Sequence, residues 1–173
     1  LMKEPTLARR IFDAVYAAID IPMTVKMRLG WDEDNLNAPL VARNAEDAGA
    51  SMVTVHGRTR MQMYRGTADW QEIHRVREAV SIPLIVNGDI LTVEDAVDAL
   101  KISGADGVMV GRGALRDPWI LRRIGDHFQG KVPYEPSLTE RQEHLLEYFD
   151  LIVQDTHSER GATGPVDELR VIN

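Results

Sequence analysis

The sequence contains no cysteine, which excludes disulfides, thiolate metal sites and a cysteine nucleophile or acid within its 173 residues. Aromatic residues are scarce, at 6%. No apolar run approaches the roughly 18 residues a membrane-spanning helix needs. The opening Leu1-Met2-Lys3-Glu4-Pro5 has neither the apolar stretch nor the cleavage site of a signal peptide. Positive charge is also short: 20 Lys+Arg stand against 27 Asp+Glu, a net charge of −7, which argues against a general nucleic-acid binder. The deficit is local, however. Residues 1–130 hold 16 basic and 18 acidic side chains, whereas residues 131–173 hold 4 and 9. These bounds predict a cytoplasmic protein with no membrane partner, made of one domain or of one domain and part of a second.

What is present is a pattern that occurs twice. Ile21-Pro22-Met23-Thr24-Val25-Lys26 returns as Ile82-Pro83-Leu84-Ile85-Val86-Asn87, and Gly49-Ala50-Ser51-Met52-Val53-Thr54-Val55-His56-Gly57-Arg58 returns as Gly104-Ala105-Asp106-Gly107-Val108-Met109-Val110-Gly111-Arg112. Short β-branched runs that stop abruptly in polar residues read as buried parallel strands with helices between them. The expected strands are 23–29, 52–55, 84–86 and 108–110. Pro5 opens a helix to about Ala18, and further helices are expected over about 39–48, from a cap at Asp69 to about Val80, and from a cap at Thr92 to about Lys101. Another is expected from Pro118 to about Gln129. Pro133 and Pro136 mark a linker, after which Ser137 and Glu140 cap a long final helix. Four βα units are half of a (βα)₈ barrel, whose usual size is ~250 residues. A small open doubly wound sheet fits the same element order.

Polar residues gathered at the C-terminal ends of successive parallel strands are where such a barrel keeps its chemistry. Lys26 closes the first strand, and Arg28 follows two residues later on the same face. His56, Arg58 and Arg60 follow the second strand, where Gly57 allows a tight turn. Asn87-Gly88-Asp89 and Gly111-Arg112-Gly113 end the third and fourth. Glycine-punctuated loops expose backbone N–H groups, and an arginine beside them can hold a phosphate bidentately. The residues thus point to an anionic ligand at the last two strands. Trp70 and Trp119 read as packing residues, and His74, His127 and His144 lack metal-ligand spacing. No metal site is expected.

The runs Thr24-Val25-Lys26-Met27-Arg28-Leu29-Gly30-Trp31, His56-Gly57-Arg58-Thr59-Arg60, Asn87-Gly88-Asp89-Ile90 and Gly111-Arg112-Gly113, with Pro118-Trp119, closely resemble the tRNA-dihydrouridine synthases, nearest to their bacterial nitrogen-regulation-like subgroup. The likeness covers residues 1–130. It implies the C-terminal half of an FMN-binding (βα)₈ barrel over 1–130, then a linker and the start of a helical tRNA-binding domain over 131–173. It also implies an oxidoreductase that uses NADPH to reduce FMN and saturates the C5=C6 bond of a uridine in tRNA. Carried over, Lys26, His56, Asn87, Gly88, Asp89, Gly111 and Arg112 hold FMN, and Arg28, Arg58 and Arg60 face the substrate or the tRNA backbone. The family's cysteine acid lies in a Gly-Cys-Pro setting upstream of this sequence, so no catalytic residue is expected here, and the chain alone is expected to be inactive. Residues 157–165 depart from the basic helix the family carries next. A half-barrel also leaves strand edges and interior side chains uncovered, among them some of Val25, Met27, Val53, Val55, Ile85, Val86, Met109 and Val110. A homodimer is therefore expected. A non-catalytic interaction module, or another FMN-binding barrel such as a dihydroorotate-dehydrogenase-like flavoprotein, are the alternatives.

Overall fold

In a computed structural model, which describes residues 1–160, four short strands form one parallel sheet. They are β1 (Thr24–Arg28), β2 (Met52–His56), β3 (Leu84–Asn87) and β4 (Gly107–Met109), side by side in sequence order. A doubly wound sheet reverses its order at a switch point. This one never does, and each crossover is a helix, so the arrangement is an arc of a (βα)₈ barrel. The helices are α1 (Pro5–Ala18), α2 (Ala38–Asp47), α3 (Trp70–Ala79), α4 (Val93–Ser103), α5 (Gly113–Arg116) and α6 (Ile120–Phe128). They pack in a row, α1 on α2, α2 on α3, α3 on α4 and α4 on α6.

The caps read from the sequence are formed. The Asp69 side chain accepts from the Glu72 N–H at 3.0 Å. Thr92 and Asp95 make a reciprocal box, which satisfies donors that the first helical turn leaves free. The region after β4 differs from expectation. Pro118-Trp119 lies in a turn, and α6 begins only at Ile120, because the Asp117 carboxylate accepts from the Trp119 N–H at 3.1 Å and pairs with Arg123 at 3.0 Å. Just before it, residues 113–116 close the short helix α5, which has too few residues to show a periodic pattern.

The core lies between sheet and helices. Val53, Val55, Leu84 and Val86 are fully buried there, against Val41, Ala42 and Ala45 of α2, Ile73 and Val76 of α3, and Ala96 and Ala99 of α4. Alanines at these contacts let the helices approach the sheet closely. Strict alternation along each strand assigns the other face. Met27, Val55 and Val86 share one register level on the helix side, whereas Lys26 and Thr54, and then Arg28, His56 and Asn87, look the other way. The barrel-side face is therefore mostly polar. Of the apolar residues thought able to line it, Ile85 and Met109 do so, and Met27, Val53, Val55 and Val86 are covered by helices.

The chain divides into two compact units, Leu1–Pro133 and a second that begins at Tyr134. The second holds α7 (Leu138–Arg160), whose first turn is closed by Ser137 and Glu140: the Glu140 N–H donates to Ser137 Oγ at 3.2 Å, and the Ser137 N–H donates to Glu140 Oε2 at 2.8 Å. Of the segment 157–165, residues 161–165 lie outside the described residues. Among the described residues, no helix is long and apolar enough to cross a membrane.

Candidate functional site

The register fixes which side chains meet. Arg28, His56, Asn87 and Met109 stand level across β1 to β4 at the C-terminal end of the sheet, and Lys26 lies two residues below Arg28 on the same face. A cleft of about 290 Å³ opens there, lined by Lys26, Arg28, His56, Tyr64, the 87–91 loop and the 109–113 loop. Lys26, His56, Asn87, Gly88, Asp89, Gly111 and Arg112, dispersed over 87 positions of sequence, are thus brought to one place. So is Arg28. Arg58 and Arg60 are not. Arg60 is exposed and lines an adjoining, more apolar groove beside β1, which shares Lys26 and Arg28 with the cleft and adds Phe12, Val25 and Trp31. Arg58 is only 2% exposed and points inward.

The electrostatics of the cleft are one-sided. Lys26, Arg28 and Arg112 face it, and Asp89 is the one carboxylate in its lining. Lys26 forms no hydrogen bond or ion pair with the described residues, and desolvation, then the neighbouring Arg28, hold its pKa below the ordinary lysine value. Arg28 is likewise lowered, first by burial. Its Nη1 donates to the carbonyls of Thr59 and Met63, both at 2.9 Å, which ties the loop after β2 to β1. Burial, reinforced by the charges of Arg28, Lys26 and Arg58, lowers the His56 imidazole to about 4. His56 is therefore neutral near pH 7, with one N–H to donate and one nitrogen to accept. For Asp89, burial acts upward, but hydrogen bonds from Arg58 and Ala68 and the charges of Arg58 and Arg112 leave its carboxyl below the usual value.

Four observations bear on whether an anionic planar cofactor such as FMN suits these residues. The cations outnumber the carboxylate, and a bound anion would redress that. The Nδ1 of His56 is buried without a partner among the described residues. A Cβ on Gly111 would stand in open space, so the protein's own packing does not require glycine there. Gly88 has φ +114°, and a Cβ on it would lie 2.9 Å from the Ala68 Cβ and 3.2 Å from His56 Cε1. The residues fit the group. Asn87 is 7% exposed and donates to the Met109 carbonyl at 2.8 Å, which bridges the β3 and β4 ends and aligns the two loops. Among the described residues, no group of His, Asp or Glu could hold a metal ion.

Tyr64 escaped the sequence reading. Its ring lies under the Arg112 guanidinium, 5.0 Å from carbon to centroid, and it lines the cleft. Its place in the long loop leaving a strand end was the only available sign. A larger groove of about 510 Å³ is edged by Asp32, Glu33 and Asp34 and has no comparable convergence of cations.

Comparison with known proteins agrees with the fold. The family model described as Dihydrouridine synthase (Dus) matches residues 1–168. A probable tRNA-dihydrouridine synthase of Rickettsia conorii is 48% identical over 155 residues, covering 88% of this chain and 46% of the relative. One from Rhodobacter capsulatus is 51% identical over 154 residues, covering 88% and 48%. The tRNA-dihydrouridine synthase B of Pseudomonas syringae is 44% identical over 151 residues, covering 86% and 44%. The chain spans about half the length of the curated relatives it matches. Among solved structures, the Amycolatopsis orientalis BexX/CysO complex is similar in fold alone, with a TM-score of 0.50 at 17% identity over 77% of this chain and 55% of that one.

Proposed function

Because the chain belongs to the dihydrouridine synthase family, we propose that it supplies the cofactor-holding half of an FMN-dependent tRNA-dihydrouridine synthase acting in the cytoplasm. The observation that carries this reading is the convergence of an unpaired Lys26, a neutral His56 and Arg112 on one cleft at the ends of consecutive strands. FMN, when bound and reduced by NADPH, supplies the two electrons that saturate the C5=C6 bond of a tRNA uridine. The residues of the chain bind and orient. Lys26 would lie against the polar edge of the flavin ring, where a fixed cation favours negative charge. His56, uncharged, donates or accepts a hydrogen bond there without adding another positive charge. The 87–89 loop sets the wall. The Gly111 backbone and the Arg112 guanidinium grip the phosphate, a pairing with the charge and planarity that phosphate recognition needs. Arg28 and the exposed Arg60 would meet the tRNA backbone.

The test is equilibrium binding of FMN and of riboflavin to the chain. FMN should bind at least tenfold more tightly, since only it carries the phosphate. Arg112→Ala should abolish that preference and Lys26→Ala should weaken both ligands. Equal affinities for FMN and riboflavin, or Lys26→Ala and Arg112→Ala variants that bind as the parent does, would overturn the assignment.

The chain is expected to reduce no uridine by itself. It has no cysteine to act as the acid, and an imidazole lowered to about 4 is a poor proton donor near neutrality. Incubation with unmodified tRNA, FMN and NADPH, read by mass spectrometry of nucleosides, should find no dihydrouridine. Its appearance would refute the expectation.

A further inference from the structure

The family resemblance puts Arg58 against the substrate or the tRNA backbone, yet among the described residues it is the largest fully buried side chain. Its Nε donates to the Arg65 carbonyl at 3.1 Å, and its Nη2 donates to the Gly66 carbonyl at 2.6 Å and to Asp89 Oδ2 at 2.7 Å. That oxygen also accepts from the Ala68 N–H at 2.7 Å. The other carboxylate oxygen of Asp89 lies 3.4 Å from Arg112 Nη2. One carboxylate thus ties together the loops after β2, β3 and β4. Further bonds join the chain that follows β2 to the β3 end: the Gly57 N–H donates to the Asn87 carbonyl at 2.9 Å, and Trp70 Nε1 donates to the Gly88 carbonyl at 3.0 Å. Asp89 adopts a left-handed backbone, φ 55°, which a residue other than glycine rarely takes unless its surroundings hold it there.

We infer that Arg58 and Asp89 form a latch that clamps the 57–69 loop onto the β3 end, and that Arg58 is a positioning residue for the cleft, not a contact to nucleic acid. Through Asp89 it sets Gly88, which abuts His56, and it reaches the 109–113 loop through Arg112. A buried ion pair contributes little net stability compared with well-packed apolar groups, but removing one partner strands the other, so losing either Arg58 or Asp89 should be felt at both loops. The planar fork of arginine makes its three bonds in set directions, which a lysine cannot do. The part of this inference that concerns the cofactor rests on the flavin reading above.

A pair of the same chemistry stands at the opposite end of the strands as an internal control. Arg77 Nη1 is 2.7 Å from Asp106 Oδ2, and that oxygen accepts from the Leu84 N–H at 2.8 Å. The experiment compares Asp89→Asn, Arg58→Lys and Asp106→Asn in the whole chain. Asparagine keeps the shape of Asp89 and tolerates the left-handed backbone, so the first variant should fold, as far-UV circular dichroism would verify. Hydrogen exchange at the Ala68 amide should then rise on the order of 100-fold, as expected when a largely buried pair loses one charge. Tryptic cleavage after Arg60 and Arg65 should quicken, and the dissociation constant for FMN should rise about tenfold or more. Arg58→Lys should do the same to a smaller degree. Asp106→Asn should lower the urea midpoint and leave Ala68 exchange and FMN affinity where they were. Unchanged Ala68 exchange in both latch variants overturns the latch, and so does an equal rise in Asp106→Asn. An opened loop with unaltered FMN affinity overturns the positioning role. If the unsubstituted chain binds no FMN, the flavin reading falls and with it that role, while exchange and cleavage still decide the latch.

Discussion

His56 is the side chain of the site whose pKa is moved furthest, and its titration gives a prediction about stability. Its pKa falls from 6.5 to about 4 because burial and three nearby cations penalise the imidazolium. Between pH 6.5 and 4 the unfolded chain therefore binds a proton that the folded chain refuses. Stability is fully present above that window and falls as pH drops through it. Glu46, lowered chiefly by the hydrogen bond from Ser81, and Asp89 move stability in the same direction, but only below their ordinary values of 4.5 and 3.8. The upper part of the window thus belongs to His56. Since the imidazole is only half-buried, solvent screening reduces the effect to roughly 1–2 kcal/mol. Urea titrations at pH 7 and pH 5 should show the loss, and His56→Gln should remove most of it. A pH-independent midpoint in the parent chain between those values would contradict the account.

At the scale of the elements, what the sequence made legible was whatever is encoded by nearest neighbours. The four strands, the Pro5 start of α1 and the caps at Asp69, Thr92 and Ser137 all rest on short-range patterns, and all are present in the structure. Two matters depended on distant residues and were not legible. One is the sidedness of the strands. Fully buried parallel strands read as continuous apolar runs, so Val53, Val55 and Val86 could not be assigned to the helix face without the register that pairs them with Leu84 and Val108. The other is the fate of the arginines at the ends of β1 and β2. Arg28, Arg58 and Arg60 look alike in sequence, but the returning loop encloses Arg58, fixes Arg28 by two carbonyls and leaves Arg60 outside. Gly57 shows the same limit. Its role is a close approach, since a Cβ there would lie 3.0 Å from both the Ala68 Cβ and the Asp69 nitrogen, and those atoms arrive from eleven and twelve residues further along.

At the scale of the whole molecule, of the two reasons for expecting association, open strand edges and an open sheet face, the edges carry the argument. Ile85 and Met109 apart, the barrel-side face is lined mainly by polar groups, among them Lys26, Arg28, His56 and Asn87, and offers little apolar surface to cover. The edges differ. Among the described residues β1 pairs only with β2, and β4 only with β3, so each has one side without a strand partner. β4 is three residues long and offers little template. β1 is five residues long, and beside it lies a groove of about 530 Å³ lined by Leu1, Phe12, Val25 and Trp31 among others. An unpaired edge next to apolar surface favours pairing with another chain. A two-fold axis beside β1 would satisfy both copies and close without forming a filament. Sedimentation equilibrium of the chain should show a monomer–dimer equilibrium in the micromolar range. Thr24 is an exposed residue of β1, and a lysine there would place like charges across such an axis, so Thr24→Lys should shift the equilibrium toward monomer and make the melt less dependent on protein concentration. Concentration-independent monomer in the parent chain would exclude edge pairing, and dimer that persists unchanged in Thr24→Lys would locate the contact elsewhere.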